Sequence, residues 1–210
     1  MVAAPFRVFG YGSLIYKPPP HVAQATPGYI TTHIRRFWQA SEDHRGTPER
    51  PGRVVTLLTR AEFAHHGQAE GERFITKDQL DAANQEQSIR TWGIVYTILP
   101  DKVDEVREYL GIREINGYTL DNVDVFTVKD KCIKAEVFIG TTSNPQFTVQ
   151  TDLNALAKHI LHSQGPSGPN REYLYLLNEA LSTLDEQSGD VYIEELAKRV
   201  RHLEEIEQSR

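Results

Sequence analysis

The order of hydrophobic patterns along the chain is the feature that most constrains its fold. Short runs rich in β-branched and aromatic residues, each typical of a strand, recur through the first two thirds. They cover residues 6–9, 28–40, 54–58, 92–99, 123–128 and 133–139. One stripe with helical spacing lies among them at 101–110, and further stripes follow from about residue 151. Strands first and helices afterwards predict an α+β fold whose sheet is curved or closed into a barrel.

The length of 210 residues suits one domain with a well-filled core. We therefore expect a single domain over residues 1–210, with a helical C-terminal segment at about 151–207. Residues 60–90 differ from their surroundings because they are polar and rich in Gln and His. They predict an insertion on the surface, outside the core.

Charge and cysteine content exclude several classes of protein. The chain has 23 Lys and Arg against 29 Asp and Glu, a net charge of -6, which argues against general binding to nucleic acid or anionic membranes. No apolar run is long enough to span a membrane and no secretory pattern opens the chain, so we expect a cytoplasmic protein. Cys132 is the only cysteine, which excludes an intrachain disulfide, and the alternating pattern around it predicts a buried thiol.

The first strand-like run breaks into a loop that contains two glycines. Glycine allows backbone torsions closed to other residues, so successive N–H groups can turn into one small concavity. Such a concavity suits a small carboxylate or phosphate; the alternative is a tight turn without a ligand. A dinucleotide fingerprint is disfavoured, because Ile15 stands where the third glycine would be. The candidate ligand-binding residues are Phe9, Gly10, Tyr11, Gly12, Ser13 and Leu14.

Glu114 is the candidate general base. It follows the predicted helix and lies between Ile112 and Ile115, and an apolar setting raises the pKa of a carboxyl group. The alternative is an exposed glutamate paired with Arg113. The polar residues 41–47 likewise predict either a loop beside a site or a solvated loop.

Metal and serine chemistry find little support in the sequence. His159 and His162 are one helical turn apart, but no third ligand has a matching spacing, which favours surface positions. The Gly-x-Ser-x-Gly nucleophile elbow is also missing. We therefore predict no metal site and no serine nucleophile.

Several motifs occur in an order and combination that is more specific than any one of them. They are residues 9–15, residues 35–39 with 43–48, residues 51–57, residues 113–114 with 117–118, and residues 165–170 with 172–174. On these residues, from Phe9 to about Leu177, the chain resembles the ChaC family of glutathione-specific γ-glutamylcyclotransferases. It departs from the family pattern at Tyr16, where a tryptophan is usual, and in the longer connection at 60–90.

The resemblance implies a small mixed β-barrel flanked by helices and cleavage of reduced glutathione to 5-oxoproline and cysteinylglycine. It implies no metal or organic cofactor, and it places the substrate loop at 9–14 and the catalytic glutamate at Glu114. It gives no indication of protein partners. Arg45 and Arg53 are candidates for binding the glycine carboxylate of glutathione.

The expected chemistry needs little from the protein. The α-amine of a γ-glutamyl group attacks its own γ-carbonyl, so proximity is already covalent and the enzyme mainly moves protons. Glu114 would take a proton from the amine and give one to the leaving nitrogen. Two alternatives stay open: a non-catalytic module that binds a small carboxylate, and a cyclotransferase for other γ-glutamyl amines.

Overall fold

The structure, a computed structural model, describes residues 4–68, 74–75, 89–113, 118–129 and 131–209. Its long strands are β1 (Arg7–Gly10), β2 (Val22–Ile30), β3 (His33–Ser41), β4 (Gly52–Thr59), β5 (Thr91–Ile98), β6 (Tyr118–Phe126) and β7 (Cys132–Gly140). Five of them form a closed barrel in the order β1-β5-β2-β6-β7. The predicted α+β fold with a barrel is therefore confirmed.

The barrel is mixed. Strand β5 pairs antiparallel with β1 and β2, and β6 pairs antiparallel with β2 and β7. A parallel contact between β1 and β7, at Val8 and Glu136, closes the ring. Closure buries Val8, Phe9 and Gly10 of β1, which explains why its sequence is apolar after the half-buried Arg7.

Strands β3 and β4 form a separate hairpin that packs beside the barrel. The prediction of one strand over 28–40 is wrong, since β2 ends at Ile30 and β3 begins at His33. The turn between them consists of Thr31 and Thr32, which carry no Gly or Pro signal. The prediction that 54–58 is a central strand also fails, because β4 pairs only with β3 and is buried by helices.

The helices are α1 (Arg60–Phe63), α2 (Val103–Arg113), α3 (Leu153–His162), α4 (Asn170–Ser182) and α5 (Val191–Gln208). A 3-10 turn at Pro100–Lys102 precedes α2, and the small hairpin β8 (Gln164–Gly165) and β9 (Gly168–Pro169) precedes α4. The apolar stripes predicted for α3, α4 and α5 are confirmed as their buried faces. Asp152 and Asp190 cap α3 and α5 by accepting backbone N–H bonds.

Both arginines of β3 are buried, although only one was expected to face inward or lie at a rim. Arg35 is 1% exposed and donates through Nη1 to the Asp190 carboxylate at 3.2 Å and through Nη2 to the Trp92 carbonyl. Asp190 also caps α5, so one ion pair fixes that helix to the hairpin. The Arg36 guanidinium lies over the Tyr192 ring, 4.2 Å from its centre.

Three further expectations need correction. Cys132 is exposed, because it is the first residue of β7 and lies at the end of the strand pair. Gly111 does not end α2, which continues to Arg113.

The insertion at 60–90 is not wholly on the surface: Phe63 is fully buried and stacks on Trp38 with ring centres 5.9 Å apart. Residues 69–73 and 76–88 of that insertion lie outside the described part of the chain. Within the described residues, no helix is both long and apolar enough to cross a membrane.

Candidate active site

A cavity of about 310 Å³ opens where β1 leaves the barrel. Its walls come from the loop after β1, from the β3–β4 hairpin and its loop, from α4, and from the residues on either side of the connection between α2 and β6. The volume lies at the lower end of the range of about 300–1,000 Å³ that is usual for small-molecule sites. The barrel and the helices thus enclose it together.

The predicted glycine loop forms one wall of this cavity. Phe9, Tyr11, Gly12, Ser13 and Leu14 all line it. The chain turns here through a short 3-10 segment, Ser13–Ile15, closed by a bond from the Ile15 N–H to the Gly12 carbonyl at 3.0 Å. The loop therefore faces the cavity.

Gly10 does not line the cavity but lets the loop pack against the barrel. A Cβ at this position would lie 2.7 Å from the Leu14 Cβ and 3.3 Å from the Tyr96 ring. The Tyr96 hydroxyl donates to the Leu14 carbonyl at 2.7 Å, which fixes the loop from inside the barrel. Burial raises the pKa of Tyr96 to about 12, so the hydroxyl stays protonated and remains a donor.

The opposite wall contains a β-bulge in the β3–β4 hairpin. The register runs from Arg36 opposite Thr56 to Gln39 opposite Val54, so two residues of β3 face only Val55 of β4. Two amides of this bulge donate to tyrosine hydroxyls: Phe37 to Tyr192 at 3.2 Å and Val55 to Tyr173 at 3.4 Å. Tyr173 lines the cavity, whereas Tyr192 is not among the described lining residues.

Charged and polar groups lie toward the loop 42–51. Lys17, Asp43, His44 and Arg45 line the cavity there. The side chain of Arg45 is 13% exposed and donates through Nη1 to the Pro169 carbonyl at 3.0 Å. The polar loop therefore lies beside the cavity.

Arg53, the other predicted carboxylate ligand, is not among the described residues that line the cavity. Its Nη1 donates to the Gly52 carbonyl at 3.0 Å, and burial lowers its pKa. The Arg53 backbone is held by the fully buried Asn170, which accepts its N–H at 2.7 Å and donates to its carbonyl at 2.8 Å. The turn at 165–170 was expected to cap α4 at its end, but Asn170 instead clamps β4 to the start of α4.

Glu114, the predicted general base, lies outside the described residues, as do 115–117. The described chain on both sides of it reaches the cavity: Tyr109 of α2 and Tyr118, the first residue of β6, both line the wall. The role of Glu114 therefore stays a prediction.

The histidines of α3 do not converge on one point. His159 is hydrogen-bonded to the Pro51 carbonyl at 2.7 Å, and burial lowers its pKa. His162 is hydrogen-bonded to the Lys158 carbonyl at 2.7 Å and lies 3.1 Å from Glu207. Over the described ranges, no three His, Cys, Asp or Glu residues are grouped so that they could hold a metal ion.

Sequence reasoning missed most of the aromatic wall. Tyr173 was counted as part of an apolar stripe, which its ring is, but its hydroxyl reaches the cavity. A phenol within a stripe of leucines needs a hydrogen-bond partner when it is buried, and that requirement is the signal that could have identified it.

The model of the ChaC-like protein family matches residues 6–203. The chain belongs to the ChaC-like family. This ChaC-like chain is 39% identical to the glutathione-specific γ-glutamylcyclotransferase of Schizosaccharomyces pombe, covering 92% of this chain and 91% of that protein. It is 36% identical to γ-glutamylcyclotransferase 2-3 of Arabidopsis thaliana, covering 93% and 88% of the two chains.

The ChaC-like fold is also seen in a solved structure. The crystal structure of the γ-glutamylcyclotransferase specific to glutathione from yeast superposes with a TM-score of 0.84 at 35% sequence identity. The match covers 95% of this chain and 96% of that one. The barrel, the hairpin and the helices therefore belong to the shared fold, because little of either chain is left unmatched.

Proposed function

We propose that this chain is a glutathione-specific γ-glutamylcyclotransferase that converts reduced glutathione to 5-oxoproline and cysteinylglycine. The observation that carries the proposal is the glycine loop forming a cavity wall in a chain so similar, over nearly its whole length, to an enzyme of that name. The reaction eliminates an amine without water, as a lyase does. We further propose that it occurs in the cytoplasm, where glutathione keeps thiols reduced.

The γ-glutamyl group would lie against the loop of residues 9–14. Backbone N–H groups of a tight loop suit a carboxylate, because they present fixed partial positive charge without a mobile side chain. The glycine carboxylate at the other end of the tripeptide would then point toward Arg45. Arg45 and the glycine loop both line the cavity, which supports a ligand that carries two carboxylates.

Glu114 would act as the general base and acid of the reaction. A free α-amine titrates near about 8 and is mostly cationic at neutral pH, so it must lose a proton before it attacks. Tyr109 and Tyr118, the described residues nearest to Glu114 along the chain that line the cavity, support this proposal. The same carboxyl would then protonate the departing cysteine nitrogen, a task worth roughly 10²- to 10⁴-fold in rate.

A cyclotransferase for other γ-glutamyl amines is the second candidate. The name of the Arabidopsis relative does not specify glutathione. In addition, the guanidinium of Arg45 is already committed in part to Pro169, so its contribution to the glycine carboxylate could be small. Specificity would in that case stop at the γ-glutamyl group.

The test is incubation of the purified protein with glutathione and, in parallel, with γ-glutamyl-alanine in isotopically labelled water. We expect unlabelled 5-oxoproline and cysteinylglycine in equal amounts, with glutathione the faster substrate. Equal rates on both substrates would favour the second candidate. Labelled glutamate would indicate hydrolysis, and binding without any product would leave a non-catalytic binding module; either result would overturn the proposal.

A further inference from the structure

The hydroxyl of Tyr173, a residue that lines the cavity, lies close to the glycine loop. The side chain comes from the first turn of α4 and is 6% exposed. Its oxygen is so close to the loop that a Cβ placed on Gly12 would lie 3.1 Å from it. Any ligand group held by Gly12 is thus within reach of this hydroxyl.

The hydrogen bond that Tyr173 accepts restricts where its hydroxyl proton can point. Val55 is the residue of β4 that lies opposite the bulge of β3. The Val55 N–H donates to the phenolic oxygen at 3.4 Å. That bond uses an acceptor position, so the hydroxyl proton must point elsewhere. Within the described residues the Tyr173 hydroxyl donates no hydrogen bond, and the residue lines the cavity, so a ligand there can accept its proton.

The ring is held rigidly, as a positioned donor requires. Phe37 meets it edge-on with ring centres 5.7 Å apart, and Tyr16 meets it at 6.2 Å on another side. Burial raises the pKa of Tyr173 well above its ordinary value, so the hydroxyl keeps its proton across the neutral range. The donor is therefore both fixed and protonated before any ligand enters.

The surroundings of this hydroxyl favour an oxygen that becomes charged during the reaction. The buried guanidinium of Arg35 interacts electrostatically with Tyr173 and Tyr11. Arg35 is itself paired with Asp190, so the group offered to an oxygen at this spot is the Tyr173 hydroxyl, and a preorganised donor of this kind stabilises developing negative charge. The apolar neighbours Phe37 and Val55, in contrast, make the spot less suited to a carboxylate that is charged throughout.

We infer that the Tyr173 hydroxyl donates a hydrogen bond to the γ-carbonyl oxygen of the substrate and stabilises it as the ring closes. The inference rests on the proposed function. The neutral α-amine forms a bond to the γ-carbon, and the π electrons of the carbonyl move to the oxygen that Tyr173 contacts. When they return, the bond to the cysteine nitrogen breaks. The attacking nitrogen is cationic once its new bond has formed, and it gives up one proton. The cysteine nitrogen leaves with the electron pair of the broken bond and takes a proton, and the products are 5-oxoproline and cysteinylglycine.

The test is Tyr173→Phe, which removes only the oxygen and keeps the ring between Phe37 and Tyr16. Loss of one oxyanion donor typically lowers kcat by about 10²- to 10³-fold. We expect a fall of that size with KM for glutathione changed less than threefold. A raised KM with kcat unchanged would mean that the hydroxyl binds a group that is already charged in the bound substrate. That result would overturn the inference.

Tyr192→Phe is the matched control, because Tyr192 accepts the other bulge amide, that of Phe37, but does not line the described cavity. Both variants lose an acceptor for a bulge amide, so both should lose similar thermal stability. Only Tyr173→Phe should lose kcat. If Tyr173→Phe has the same kcat as Tyr192→Phe, the Tyr173 hydroxyl has only a structural role. The inference then fails while the proposed function stands. If the unchanged protein releases no 5-oxoproline, both fail together.

Discussion

At the scale of single residues, the cavity depends on the absence of a side chain at Gly12 as well as on the side chains that line it. Gly12 has no side chain, and this lets the loop lie close to the bulge. A Cβ there would lie 3.0 Å from Val55 Cγ2 and 3.1 Å from the Tyr173 oxygen, tighter than ordinary van der Waals contact. An added methyl group would therefore shift the loop or the residues opposite it.

We predict that Gly12→Ala lowers kcat/KM for glutathione by about 10- to 100-fold, because displacement of a reacting group by even 1 Å costs on the order of 10² in rate. The added methyl meets one methyl group and one hydroxyl, so we expect the melting temperature to change little. Steady-state kinetics and a thermal melt measure the two effects.

Gly111→Ala is the control for this substitution. A Cβ at Gly111 would have nothing within 4 Å, and the residue lies in α2, where alanine is favoured over glycine by about 0.5–1 kcal/mol. We expect unchanged turnover and a slightly higher melting temperature. Equal activity of Gly12→Ala and Gly111→Ala would refute the view that the loop surface at Gly12 contacts substrate.

Residue roles were predictable from the sequence only where composition is distinctive. A loop with two glycines after an apolar strand stands out locally, and most of its residues line the cavity. Tyr173 and Tyr118 do not stand out, because an amphipathic ring fits an apolar stripe or a strand equally well. The role of such a hydroxyl depends on residues far away in the sequence. Val55, which donates to Tyr173, is 118 positions away from it.

At the scale of elements, the β3–β4 hairpin is the part that the sequence pattern described least well. Its bulge shifts the register between Arg36 and Gln39 and turns amides toward α4 and α5. Bulges depend on pairing between strands, so the pattern within one strand does not reveal them. The apolar stripes and Asp caps of α3 and α5 were predicted, because both are local signals. The helix α1, the end of α2 and the start of α4 were not.

Asn170 carries the contact between α4 and the hairpin, and its removal tests that connection. We predict that Asn170→Ala lowers the free energy of unfolding by about 1–3 kcal/mol, because the Arg53 N–H and carbonyl each lose a partner. The Arg53 amide should exchange its hydrogen faster. Hydrogen exchange and a denaturant titration measure both changes.

Asn178→Ala, in the same helix, provides the comparison for Asn170→Ala. The structure gives Asn178 no side-chain hydrogen bond within the described residues, and alanine is the better helix former. We expect its stability to be equal to that of the unchanged protein or slightly higher. A stability loss as large as that of Asn170→Ala would mean that the clamp is not the cause.

At the scale of the whole molecule, barrel and helices are both needed to form the cavity. The barrel supplies the glycine loop and Tyr118, α4 supplies Tyr173, and the hairpin lies between them. The class of fold followed from the order of patterns, because strands and helices each bury one predictable face. The sequence did not predict that these elements enclose a cavity, since that depends on how the strands and helices pack against one another.

The central claim is that one carboxyl group, that of Glu114, moves the protons while the substrate cyclises on itself. The most direct measurement compares 5-oxoproline release from glutathione by the unchanged protein, Glu114→Gln and Glu108→Gln, an exposed glutamate of α2 with the same change of charge. We predict a loss of roughly 10²- to 10⁴-fold for Glu114→Gln alone, with its melting temperature and its binding of glutathione retained. Turnover by Glu114→Gln at the rate of the unchanged protein would contradict the account.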